Sequence, residues 1–252
     1  MITRHHLALA LMCALIASSA FLFSPPGLVC LVTAGTCIGV LLPDIHMTRP
    51  KHFKFRSFAW LIVQFPRRIC APLLCRIYAH TRHPVQDPGD KRLSHSLPGA
   101  LFVFACTALL LLIPASVLKN TFVTDAIFVF LAGVFLGIFL HLIEDLCTRK
   151  GIVPCFPFSA VTITGTIRPC DTIDPRIGQY HIQHCAVLLI IVVIETTGIL
   201  SSLWIMLLSI AGFLFCQVTM IGFSEVTIHW GKSQTDKQPL PLPAEGITRN
   251  PR

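Results

Sequence analysis

The sequence predicts an all-α, polytopic membrane bundle of about six transmembrane helices with a cytoplasmic amphipathic segment. Three observations predict it. The 252-residue chain is 54% hydrophobic and only 13% charged, whereas a soluble domain carries about 25% charged residues. Six apolar runs approach spanning length, at 7–23, 27–42, 97–118, 122–144, 183–199 and 203–223, in a regime where about 17–25 residues cross a bilayer. The basic residues, finally, crowd onto one set of connecting loops.

The first run follows Arg4 and reads "LALALMCALIASSA", which imitates a cleavable signal peptide. A second apolar run follows after a bare "SPPG" turn, so the pair reads as a retained membrane hairpin. Between the second and third runs lies "FKFRSFAWLIVQFPRRICAPLLCRIYAHTRH", which mixes Arg and Lys with Phe, Trp and Leu. It reads as one or two amphipathic helices on the cytoplasmic leaflet, interrupted at Pro66 and Pro72. Residues 1–228 form the membrane domain. Residues 229–252, polar and proline-rich, read as a disordered cytoplasmic tail. The eleven cysteines are scattered without a C-x-x-C pair, so packing explains them better than a disulfide framework or a zinc knuckle.

The loops orient the bundle. Residues 24–26 and 200–202 carry no Lys or Arg, and the remaining linker on that side carries only Lys119. The opposite side holds 19 of the 20 basic residues. The positive-inside rule therefore places that side, with both termini, in the cytoplasm of a multi-pass inner (plasma) membrane protein. The net charge of +8 is accounted for by topology, and no direct nucleic-acid partner is expected.

On that topology the ionisable residues collect at one membrane face. His5 and His6 open the first run, Asp44 and His46 follow the second, and Asp90, His95 and Ser96 precede the third. His141, Glu144 and Asp145 close the fourth, and His181 and His184 open the fifth. His141 and Asp145 stand four apart, so both side chains lie on one helix face. Ionisable groups in a span usually face the bundle interior and pair with something. Imidazole with carboxylate suits a divalent ion, zinc first, with manganese or iron as options. Singly, each position reads as a solvated helix end. His5, His80 and His83 keep that reading, and Glu195 lies at the far face. Convergence of four or five helix ends is what points to a metal.

At these residues the chain resembles a known family. "GVLLPDIH", "KRLSHSL" and "LGIFLHLIEDLCTRKGIVPCFPF" are similar to the signature blocks of the membrane-bound metal-dependent hydrolases, the YdjM-like, LexA-binding inner-membrane proteins. The blocks match in order and spacing across about residues 5–158. His6, Asp44, His95, His141 and Asp145 fall on the family's metal-ligand positions, and Thr148 and Gly151 complete the last block. Two positions depart: the second Asp of "PDID" is His46, and the His of "HRG" falls on Asp90.

The resemblance implies a metal-dependent hydrolase at the cytoplasmic membrane surface, acting on a phosphoester or other amphiphilic substrate presented by the lipid bilayer. A more distant likeness to the zinc-dependent phospholipase C class implies phosphodiester chemistry. Asp90 or Glu144 is then the candidate general base, and Ser96 either supports a ligand or caps the third helix. A divalent-metal or proton transporter, and a non-catalytic adaptor with a structural metal site, are the alternatives. Transport calls for polar groups near the midplane and on both faces, and the outer linkers are almost bare. If His46 and Asp90 exchange roles within one site, alanine at either weakens metal binding comparably. A loss at only one of them, measured by metal titration, ends that idea.

Overall fold

The protein is described by a computed structural model over residues 3–19, 26–45, 55–81, 85, 87–169 and 174–230. Its described chain is mostly helical. The helices are α1 (Thr3–Ser18), α2 (Pro26–Gly39), α3 (Phe55–Phe65), α4 (Ala71–Tyr78), α5 (Leu97–Leu118), α6 (Thr121–Leu146), α7 (Arg176–Thr197) and α8 (Ser202–Phe223). Two short strands, β1 (Thr162–Thr164) and β2 (Thr227–His229), pair antiparallel, with Thr162 opposite His229. Among the described residues, four helices, α5 to α8, are long and apolar enough to cross a membrane.

Of the two remaining apolar helices, α2 ends earlier than the sequence reading assigned, while residues 20–23 of the first run lie outside the described residues. α1 has 16 residues and α2 has 14, which rise only about 24 and 21 Å against a hydrocarbon core of about 30 Å. α2 ends at Gly39 because the chain turns over Val40–Asp44. There Leu41, Leu42 and Asp44 donate to carbonyls three residues back, and Pro43 lies inside the turn.

α6 is the centre of the packing, lying against α2, α5 and α1, while α7 lies against α1 and α8. Its contact with α2 is made backbone to backbone. Gly35 and Gly39 on α2 face Gly133 and Gly137 on α6, a small-x₃-small spacing on both partners that lets apolar helices approach closely. A Cβ placed at Gly39 would meet the Val134 carbonyl, and one at Gly137 the Thr36 carbonyl.

The amphipathic segment forms a more continuous element than its prolines predict. α3 runs through a π turn at Pro66–Cys70 directly into α4. The wider turn accommodates Pro66, which lacks an N–H and whose ring would clash in a regular α-helix. Pro72 falls in the first turn of α4, directly after that wider turn. Val63, Cys70, Ala71, Leu74 and Tyr78 face the protein. Leu61, Ile69, Leu73 and Ile77 are exposed beside Arg67, Arg68 and Arg76.

Caps fix the remaining ends. Ser96 Oγ accepts from Gly99 N at the start of α5, and Asn120 Oδ1 accepts from Val123 N at the start of α6, both at 3.2 Å. Arg176 grips Asp174 through Nε and Nη2 and also donates to Thr166. That grip holds the Asp174 carboxyl well below its usual range. The described cysteines are free thiols, and Cys13, Cys70, Cys147 and Cys216 are buried. Of the expected tail, His229 belongs to β2, and residues 231–252 lie outside the described residues.

Gly39→Val or Gly137→Val forces a side chain against backbone, and overpacking of this kind costs about 1–3 kcal/mol or more. Both variants should lose several degrees of melting temperature in detergent. Gly178→Ala and Gly222→Ala, where a Cβ meets nothing within 4 Å, should melt at or above the wild-type temperature.

Candidate metal centre

Five side chains from four separate segments meet where α6 ends. His141 and Asp145 come from the last turns of α6, and His6 from the first turn of α1. Asp44 comes from the turn after α2, and His95 from the link between a 3₁₀ turn (Lys91–Leu93) and α5. Two overlapping groups, His6–His141–Asp145 and Asp44–His95–His141, hold their ligand atoms within 4.8 Å of one another. His6, His95, His141, Glu144 and Asp145 are each no more than 2% exposed.

Each imidazole is anchored at Nδ1, which decides what its other nitrogen offers. His141 Nδ1 lies 2.7 Å from the Val40 carbonyl. A carbonyl only accepts, so Nδ1 carries the proton and Nε2 presents a lone pair. His95 Nδ1 likewise donates to the Lys91 carbonyl at 3.1 Å, and to Ser94 Oγ. Ser94 in turn donates to the Pro43 carbonyl at 2.5 Å. His6 Nδ1 donates to Glu144 Oε2 at 2.6 Å. Carbonyls and a carboxylate behind ligating histidines are the usual means of fixing tautomer and ring direction in metal sites. Burial also pushes the His95 pKa down, which keeps that ring neutral.

The three Nε2 atoms converge on the two aspartates. His141 Nε2 and His95 Nε2 are 3.1 Å apart. Asp145 Oδ2 is 3.2 Å from His95 Nε2 and 3.8 Å from His141 Nε2, while Asp145 Oδ1 is 3.4 Å from His6 Nε2. Asp44 Oδ1 stands 3.9 Å from both His95 and His141. Ligands about 2.1 Å from one tetrahedral ion are separated by about 3.4 Å. The donor spacings therefore match the edges of a coordination shell, and the donor set of imidazole and carboxylate fits a borderline divalent cation. His141 has a single lone pair to give, so it would be a ligand to one ion only. Asp145, with its two oxygens turned to different histidines, can bridge two.

The structure gives the other sequence candidates different partners. Glu144 faces His6 from behind. Asp90 caps the 3₁₀ turn by accepting from Arg92 N, and its carboxylate is paired with the Arg92 guanidinium at 2.7 Å. Ser96 caps α5. Thr148 Oγ1 donates to the Asp145 carbonyl and accepts from Gly151 N. Gly151 stands at φ +58°, where a Cβ would meet the Ile163 carbonyl. Thr148 and Gly151 thus form the exit turn of α6 and are not among the ligand atoms. His46 lies outside the described residues, and His80 is exposed.

Lys91 is the residue the sequence reading missed. Its Nζ lies 2.5 Å from Asp145 Oδ2. With a side chain 33% exposed, it joins Asp44, at 13%, as one of the least buried groups around the cluster. Nothing in "DKRLSHS" separates Lys91 from an ordinary loop lysine. The carbonyl of the same residue, four positions before His95, is the one that accepts from the His95 ring.

These features define a class: a multi-pass helical membrane protein with a buried histidine–aspartate cluster at the ends of its helices. The chain belongs to the YdjM inner membrane protein family, whose model matches residues 1–223. No curated protein and no solved structure matches it.

Zinc added to chelator-treated protein should raise the melting temperature by several degrees, because a ligand that binds only the folded state stabilises it. His141→Ala and Asp145→Ala should abolish the rise. Glu144→Gln, which still accepts from His6 but without the charge, should leave a smaller rise, with affinity about 10–100-fold weaker.

Proposed function

We propose that the protein is a metal-dependent hydrolase acting at the cytoplasmic face of the inner membrane on a phosphoester of an amphiphilic substrate. One observation carries the reading. Three imidazoles, each locked through Nδ1, turn Nε2 toward two aspartates at the helix-end face that bears the basic loops. The same loops support six membrane-crossing helices, with α1 and α2 as short or tilted spans, and both termini inside.

His6, His95, His141, Asp44 and Asp145 would hold the ion, zinc before manganese or iron. When bound, such a cation supplies Lewis-acid polarisation of the scissile group and acidifies a water to near-neutral pKa. Asp44 is the most exposed carboxylate of the set, so water reaches it first, and it can accept the proton of an attacking water. Glu144 and Asp90, the carboxylates that the sequence offered for that task, position His6 and the His95-bearing turn instead. Lys91 stands at the mouth of the cluster, where an ammonium can pair with an anionic phosphoryl oxygen. The exposed apolar and basic face of α3 and α4 suits the headgroup boundary of an anionic leaflet. Transport is supported less well, since among the described residues the clustered donors sit at one end of the bundle.

Purified protein assayed on a phosphodiester panel should hydrolyse at least one member. The activity should vanish on chelation, return with zinc, and be absent in His141→Ala. Lys91→Met should raise KM for an anionic substrate roughly tenfold or more, the loss of a charge-assisted hydrogen bond, with a smaller effect on kcat. Hydrolysis indifferent to chelator and to His141→Ala would sink the hydrolase reading.

A further inference from the structure

The segment from α3 to α4 has two opposite faces, and each meets a different environment. Ile69, Leu73, Arg76 and Ile77 follow the i, i+4, i+7, i+8 spacing of one helix stripe, and all four are exposed. The π turn adds Arg67 and Arg68, so three successive residues, Arg67 to Ile69, are exposed together. Residues 45–86 contain eight Lys and Arg and no Asp or Glu. The spans α5, α6 and α8 also expose apolar side chains, but they contain no Lys or Arg. A stripe that alternates guanidinium with Ile and Leu is suited to the boundary between acyl chains and anionic headgroups.

The inner face reaches the metal centre. Ala71, Leu74 and Tyr78 of α4 pack in one cluster with Ile45, Leu93 and Phe156. Ile45 directly follows Asp44, and Leu93 directly precedes the Ser94–His95 pair. Ser94 Oγ ties the two turns together by donating to the Pro43 carbonyl. α4 therefore lies across both of these ligand-bearing turns, with its arginine on the side turned away from them.

We propose that the outer face of α3 and α4 binds the headgroups of anionic phospholipids, and that this contact holds the Asp44 and His95 turns in place. Arg67, Arg68 and Arg76 take the phosphates, whose oxygens match the guanidinium fork. Ile69, Leu73 and Ile77 enter the acyl boundary. A lipid that binds only the docked helix stabilises it, and with it the turns beneath. The lipid is a ligand of the fold and not the substrate, because the arginines point away from the cluster. The proposal thus stands or falls independently of hydrolysis.

The test titrates the full-length protein in neutral detergent, without added metal, with phosphatidylglycerol or phosphatidylcholine. Native mass spectrometry reads binding, and hydrogen exchange reads the turns. Wild type should prefer phosphatidylglycerol, and the preference should fall about tenfold or more in Arg67→Gln/Arg68→Gln/Arg76→Gln. Phosphatidylglycerol should slow exchange over residues 40–45 and 91–96 in wild type and not in the triple variant. Arg149→Gln/Lys150→Gln, which changes exposed basic residues at the exit of α6, should behave as wild type. If the triple variant fails to fold, Arg68→Gln and Arg76→Gln are compared singly, each with a partial loss expected. Equal binding of the two lipids overturns the proposal. So does a preference that survives the arginine changes, or one lost equally in the Arg149/Lys150 variant. A preference with no change in exchange at the two turns overturns the coupling. A lipid-independent dimer that Ile69→Ser/Leu73→Ser disrupts assigns the face to a second copy of the chain, and overturns the proposal as well.

Discussion

The close backbone approach of α2 and α6 is the constraint on which the rest depends. Where Gly39 meets Val134 and Gly137 meets Thr36, no side chain separates the two helices. One turn beyond Gly137 stands His141, and one residue beyond Gly39 stands Val40. The 2.7 Å bond between His141 Nδ1 and the Val40 carbonyl exists because the glycines allow it. The same approach delivers the Asp44 turn to the end of α6. Packing in the apolar interior thus sets the position of the polar cluster, and the two cannot be varied separately.

Burial explains why the cluster needs so much bracing. Two aspartates and a glutamate at the ends of two apolar helices are costly unless each is paired. Glu144 is paired with His6, Asp145 with three imidazoles and Lys91, and Asp44 stands near His95 and His141. The histidines in turn spend their Nδ1 protons on Val40, Lys91 and Glu144. Every orienting group comes from a different segment from the residue it orients, apart from Lys91 and Ser94, which orient His95. That spread over α1, α2, α6 and the α5 entry makes the cluster a product of the whole fold.

Much of this was legible in the sequence. The helix-end blocks pointed to His6, Asp44, His95, His141 and Asp145, and the structure places all five in one cluster. The family reading agrees with the match over residues 1–223. Four long spans were readable from apolar length alone, but the end of α2 was placed too late, because hydropathy does not register where a turn begins at Val40. The glycine spacing on α2 and α6 was present and went unread, since each half looks ordinary until the partner helix is known. Pro66 predicted a break, and the π turn that absorbs it depends on packing against α5 that no local pattern encodes. The partners of Glu144 and Asp90 were hidden for a similar reason. A carboxylate's task is set by what faces it, and here His6 lies 138 residues away in sequence.

The shielding of the ligand atoms has a kinetic meaning. With the imidazoles and Asp145 almost wholly covered, an ion bound among them would exchange only when the structure around them opens locally. Loading and stripping then run at the pace of that local opening and not of diffusion. For any ion held there, incubation time with a chelator would matter as much as the chelator's concentration.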